Sequence, residues 1–147
     1  MFNLNYLVKT YNLTDFEKQI IAHEGMRLTP YKDSVGKITI GIGWNIDDVP
    51  MRESEAITRM RNDLAEVKMQ AEKLLFFSKL NLVRQNVIIE MIFNLGHSKF
   101  MQFKNMIVAL QNYNYELAAK EMLTSKWATQ VKSRAVTLAK QMETGKM

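Results

Sequence analysis

The chain contains no cysteine. That excludes disulfides, a thiol nucleophile and a cysteine-based zinc site. Histidine is almost as scarce, with only His23 and His97. Neither has ligand partners at metal-binding spacing, so no metal and no cofactor is expected. His23 directly precedes Glu24, but neighbouring residues on a helix point apart. No apolar run approaches the ~18 residues of a membrane-crossing helix, so no stable membrane insertion is expected. Residues 1–11 are mildly apolar but short, and Lys9 lies inside them. They show no basic leader and no small-residue cleavage site, so no secretory signal is expected.

What is present describes an ordinary globular chain. A length of 147 residues points to a single domain, residues 1–147, able to bury its own core. The net charge of +5 suits attraction to nucleic acid, anionic lipid or an anionic polymer such as bacterial cell wall, and does not choose among them. Eleven methionines read as adaptable core filler rather than a binding surface. The lysines and arginines of the C-terminal half read as a solvated face, with steering to anionic wall as the functional alternative.

Two textures divide the sequence. Between Gly25 and Pro50 lie Gly25, Gly36, Gly41, Gly43 and both prolines, which is turn and strand chemistry. Nearly everything else has helical periodicity. The first clear helix starts at Thr14, where Thr14 and Glu17 match a capping box. Phe16, Ile20 and Glu24 share one face of it, and Gly25 is expected to close it in the left-handed conformation. A hairpin follows, with Tyr31 to Asp33 as one strand, Ser34 to Lys37 as the turn and Ile38 to Gly43 as the return. Ile38, Ile40 and Ile42 would form a greasy face. Thr39, Gly41 and Gly43 would form the other, where a ligand can approach the backbone. Ile57, Met60, Leu64, Val67, Ala71 and Leu74 then mark a long helix after Pro50. Leu82 to Leu95 reads as a central helix, with Phe100–Leu110, Tyr115–Leu123 and Val131–Met142 as packing helices and Gly145 near a frayed end. The expected architecture is α+β. A small antiparallel β lobe, about residues 25–50, is joined by a long helix to a larger helical lobe, about residues 51–147 plus the N-terminal helix. A cleft between two lobes is the expected active site.

Glu24, Asp33 and Thr39 carry the chemistry. Eight residues separate the first pair and five the second. Cutting a glycosidic bond needs one carboxyl that donates a proton and a second that stays ionised. Glu24 aligns with apolar residues at the negative end of a helix, and both features favour a proton donor. Asp33 belongs to a polar turn, which keeps it solvated. Thr39 places a hydroxyl suited to holding water. Each residue also has an ordinary reading: a helix end, a turn former and a β-branched strand residue.

The run His23-Glu24-Gly25, Tyr31-Lys32-Asp33 and Gly36-Lys37-Ile38-Thr39-Ile40-Gly41-Ile42-Gly43 resembles the signature of the phage-type lysozymes, glycoside hydrolase family 24. Ile92-Phe93-Asn94-Leu95-Gly96, Ser125-Lys126-Trp127 and Ser133-Arg134-Ala135 resemble later parts of that family in the right order. The resemblance covers all but about the first dozen residues. It implies a lysozyme-like fold and an endolysin, a muramidase that hydrolyses the β-1,4 bond between N-acetylmuramic acid and N-acetylglucosamine in bacterial peptidoglycan. Glu24 would be the general acid, with Asp33 and Thr39 positioning water or stabilising the sugar cation. The family is generally described as inverting, which would set the two carboxyls roughly 6.5–9.5 Å apart. Such a chain is expected to be monomeric and made in the host cytoplasm. It would reach the periplasmic wall through a lesion opened by a holin-type partner. Departures from the family pattern are the longer N-terminus, Trp44 in place of a histidine, and Glu90 in place of a neutral residue.

Gly41, Gly43, Asn94 and Arg134 are the further candidates for substrate binding. Asn94 reaches the cleft or is simply a helix-end polar residue. Arg134 contacts the sugar-peptide chain or pairs with a carboxylate that supports Glu24. Trp127 reads as packing. Two other functions compete: a non-catalytic peptidoglycan-binding module of the same fold, and a basic helical nucleic-acid-binding domain. The intact triad argues against the first. The lack of a recognition helix and of aromatic-basic interleaving argues against the second, so no nucleic-acid partner is expected.

Overall fold

A computed structural model describes residues 2–147, and the chain divides into two compact units, residues 1–56 and 57–147. The first unit comprises α1 (Leu4–Tyr11), α2 (Asp15–Glu24), β1 (Arg27–Lys32), β2 (Ile38–Gly41) and β3 (Trp44–Asn45). The strands form one antiparallel sheet in the order β1-β2-β3.

Helix α1 is an addition to the elements expected from sequence. Asn3 caps it by accepting from the Tyr6 N–H at 3.1 Å, and Asn12, at φ 51°, ends it in the left-handed region. An eight-residue helix is marginal alone and needs tertiary packing. Leu7 supplies it, as one of two buried apolar residues described in this unit; Ile21 of α2 is the other. Helix α2 starts as expected. The Glu17 N–H donates to Thr14 Oγ1, and the Thr14 N–H donates back to Glu17 Oε2 at 2.7 Å. Gly25 has positive φ, 74°, but ψ is 178°, so it turns the chain into β1 rather than closing a left-handed cap.

The hairpin differs from expectation in two ways. β1 begins earlier, at Arg27, and its register slips between Arg27 and Tyr31, the stretch containing Pro30. Proline has no N–H for the ladder, so an irregularity is the natural outcome. β2 ends at Gly41 rather than Gly43, because Gly41 and Gly43, at φ 68° and 70°, reverse the chain into β3. The expected faces also exchange roles. Thr39 is buried, whereas Ile38 and Ile42 are exposed.

The second unit is helical. α3 (Glu53–Glu72) leads into it, and a 3₁₀ turn (Phe77–Lys79) precedes α4 (Leu82–Leu95), which has the expected boundaries. Of the apolar stripe predicted along α3, Ala71 is buried while Ile57 and Met60 stay exposed. Val87, Ile88, Met91 and Ile92 bury the centre of α4. The expected Phe100–Leu110 helix is two pieces, α5 (His97–Phe100) and α6 (Lys104–Gln111). The break places Phe103 edge-on against Trp127, with ring centroids 6.1 Å apart. α7 (Tyr115–Leu123) is as expected, and α8 (Lys126–Val131) and α9 (Ser133–Thr144) complete the unit. Lys132, at φ 49°, separates the last two. Met91, Met106, Met122 and Met142 lie in the core as filler, whereas Met51, Met60, Met69, Met101 and Met147 are exposed, so the filler reading holds for only part of the methionines. Gly145 is held rather than frayed: its carbonyl accepts from Asn81 Nδ2 at 3.0 Å. The Arg84 guanidinium donates to the Met142 and Glu143 carbonyls at that same end, satisfying orphan groups of α9.

Candidate active site

Glu24, Asp33 and Thr39 all belong to the first unit. Glu24 is the last residue of α2, where the helix carbonyls point and Gly25 bends the chain away. The apolar setting expected around it is missing, because Phe16 and Ile20 are exposed and so is Glu24. What lies against Glu24 instead is backbone. A Cβ built on Gly43 would stand 2.5 Å from Glu24 Oε2 and 3.1 Å from its carboxyl carbon. Glycine at position 43 therefore serves two needs, a positive φ and room for this carboxylate. Gly41 has open space where a Cβ would stand.

Asp33 is organised by its own turn. Its Oδ1 accepts from the Val35 N–H at 3.0 Å and the Lys37 N–H at 2.9 Å. The Asp33 N–H donates to the Lys37 carbonyl at 2.9 Å, closing the loop. Oδ2 is left to face the Thr39 hydroxyl at 3.4 Å. The turn-former reading and the catalytic reading thus occupy different oxygens of one carboxylate. Thr39 Oγ1 also lies 3.4 Å from the Lys37 carbonyl. Both contacts are long for O–H···O bonds.

The strand carrying Thr39 is braced from its far side. Thr39 pairs with Tyr31 of β1 and Asn45 of β3. Asn45 Oδ1 accepts from the Asp47 and Asp48 N–H groups, and Asp47 Oδ2 accepts from the Ile38 N–H at 2.8 Å. Asp48 bonds Lys37 Nζ at 3.0 Å. That hydrogen bond raises the Lys37 pKa and, together with the Asn45 amide, lowers that of Asp48. Both groups are solvent-exposed, so the pair adds little stability. Trp44 donates its indole N–H to the Val49 carbonyl at 2.9 Å.

The other candidates lie in the second unit. Asn94 Oδ1 accepts from the buried Trp127 indole at 2.8 Å, so its oxygen is committed to orienting that ring. Arg134 Nε donates to Glu90 Oε1 at 2.7 Å. Of the two roles expected for Arg134, the structure shows the pairing with a carboxylate, and that carboxylate is Glu90 of the second unit. No group of three His, Asp or Glu residues among the described residues could hold a metal. No helix among them is long and apolar enough to cross a membrane.

The sequence reading missed a groove of about 1320 Å³ within the first unit, lined by residues of α1, α2 and β1, Glu24 included. Leu4, Leu7, Val8 and Tyr11, spaced as one helical face, were the available signal for α1, of which Tyr6, Leu7 and Tyr11 line the groove.

With this geometry in place, comparison with known proteins is decisive for the family. The family model described as phage lysozyme matches residues 21–143. The chain belongs to the phage lysozyme family. Its mostly helical build with a small three-stranded antiparallel sheet is the lysozyme-like α+β fold. The chain is 27% identical to the probable T4-type lysozyme 1 of Dictyostelium discoideum over 152 aligned residues, covering 83% of this chain and 89% of that one. It is 28% identical to the pre-baseplate central spike protein Gp5 of Enterobacteria phage T4, covering 84% of this chain but 27% of that longer protein. Membership in the phage lysozyme family supports a lysozyme-type function for the chain.

Proposed function

We propose that this chain is a muramidase that hydrolyses the β-1,4 bond between N-acetylmuramic acid and N-acetylglucosamine in bacterial peptidoglycan. The observation that carries the reading is the division of labour between two carboxylates. Glu24 stands free at a helix end against the Gly43 backbone, and Asp33 has one oxygen tied into a turn and the other facing Thr39. In the proposed reaction Glu24 gives its proton to the glycosidic oxygen as the bond to the muramic acid C1 breaks. Asp33 Oδ2 and Thr39 Oγ1 hold a water whose oxygen attacks that carbon, and Asp33 takes the released proton. Gly41, with open space where a Cβ would stand, leaves room for the saccharide beside the strand, and Gly43 makes room for the Glu24 carboxyl.

In the setting we propose, the chain is a monomeric endolysin made in the host cytoplasm. It meets the periplasmic wall after a holin-type partner opens the membrane. A second reading, a peptidoglycan-binding module without activity, is kept because Glu24 lacks the apolar setting that the sequence promised. Turbidity of chloroform-treated Gram-negative cells separates the two. Wild type should clear the suspension and Glu24→Gln should lose about 10²–10⁴-fold in rate, the usual contribution of a general acid. Binding to peptidoglycan without clearance by wild type would favour the module, and equal clearance by both proteins would remove Glu24 from the mechanism.

A further inference from the structure

The groove beside Glu24 offers more surface than proton transfer requires. One of its walls is α1, which lies wholly before the family-matched segment, residues 21–143. Tyr6 and Tyr11 line that wall and are 63% and 67% exposed. From β1 come Arg27 and Tyr31, with the guanidinium carbon 4.3 Å from the ring centroid. Arg27 forms no ion pair among the described residues. A guanidinium resting on an aromatic face keeps its N–H fork available for a planar anion. Tyrosines supply flat apolar faces with a polar tip, the surface that suits sugar rings and alkyl chains.

We propose that this groove binds the peptide-substituted part of the wall glycan, with Arg27 receiving a carboxylate of the peptide stem and Tyr6 and Tyr11 packing against the chain. The inference rests on the muramidase reading and adds a specificity site to it. Three features select this ligand. Glu24 lines the groove, so a molecule held there lies beside the proposed acid. Arg27 is the one lysine or arginine lining the groove among the described residues, which fits an isolated carboxylate better than a polyphosphate. The peptide stems are where peptidoglycan carries its carboxylates, while its amino sugars are acylated and neutral.

The test uses two soluble glycans of equal length, one with peptide stems and one stripped of them by an amidase and then converted to methylamides at the freed lactyl carboxyls, so that it carries no carboxylate. Calorimetric affinities and hydrolysis rates are compared for wild type, Arg27→Ala and Tyr6→Ala, with thermal melting as the check on folding. Arg27→Ala should weaken binding of the peptide-bearing glycan about 10-fold, as loss of a charge-assisted hydrogen bond predicts. Its loss on the stripped glycan should be at least several-fold smaller, and the kinetic effect should fall on KM. Tyr6→Ala, on the other wall, should weaken binding of the peptide-bearing glycan as well. Equal losses on both glycans, or no loss from either variant, would overturn the proposal while leaving hydrolysis by wild type intact. Hydrolysis of neither glycan by wild type would instead overturn the muramidase reading, and the calorimetric comparison would still decide the groove.

Discussion

In residues 57–147 the buried side chains form one cluster running from Ala71 to Met142. In residues 1–56 only Leu7, Ile21 and Thr39 are buried among the described residues. The helical unit is held by volume filling, where every methylene counts. The first unit is held by directed bonds: a capping box, the Asp33 turn and the Asn45–Asp48 loop. Such bonds are worth only about 0.5–1.5 kcal/mol each, but they fix where individual atoms point. The proposed chemistry sits in the region specified by hydrogen bonds, and the larger core sits elsewhere. Stability and activity should therefore respond to different substitutions.

The sharpest loss of stability belongs to the helical unit. Phe100→Ala removes a fully buried ring and should cost about 3–5 kcal/mol in denaturant unfolding. Any remaining folded protein should keep its hydrolytic rate. Asp33 probes the opposite case. Asp33→Ala strands the Val35 and Lys37 N–H groups and should cost about 1–3 kcal/mol. Asp33→Asn keeps an acceptor for both, so it should spare stability while still lowering turnover. If turnover survived in the asparagine variant, Asp33 would be only a turn former. Gly43→Ala and Gly96→Ala make a matched pair across the two regions, at φ 70° and 80°. Each should cost about 1–3 kcal/mol, because a side chain rarely adopts a positive φ. Only Gly43→Ala drives a Cβ into the Glu24 carboxyl, so only it should also lower hydrolysis by about tenfold or more. The smallest effect is expected from Thr14→Ala, about 1 kcal/mol from the lost cap, read in thermal melting with hydrolysis little changed.

Sequence legibility followed the same division. Helix α4 could be bounded to the residue because Asn81 and Gly96 punctuate a dense apolar run. The Thr14 capping box was equally plain, since both partners lie three residues apart. The split between α5 and α6 was hidden, because no glycine or proline marks Phe103, and its contact with Trp127 lies far off in sequence. Helix α1 is faint in the sequence because eight residues give a weak period and its one buried anchor is Leu7. Within the site, the spacing of Glu24, Asp33 and Thr39 was visible, and so was the chemistry of a strand with glycines. Neither the inversion of burial between Thr39 and its isoleucine neighbours nor the approach of Gly43 to Glu24 was legible. Both follow from where the chain reverses after Gly41, which alternation alone does not specify.

The most direct measurement is the chemistry of the cut ends. Purified peptidoglycan digested by wild type, followed by nuclear magnetic resonance during the first turnovers and by borohydride reduction afterwards, identifies both the new reducing sugar and its anomer. The account predicts N-acetylmuramic acid at the new ends, released first as the α anomer, because water attacks opposite the departing β-linked oxygen. New ends carrying N-acetylglucosamine, or no new ends at all, would contradict it.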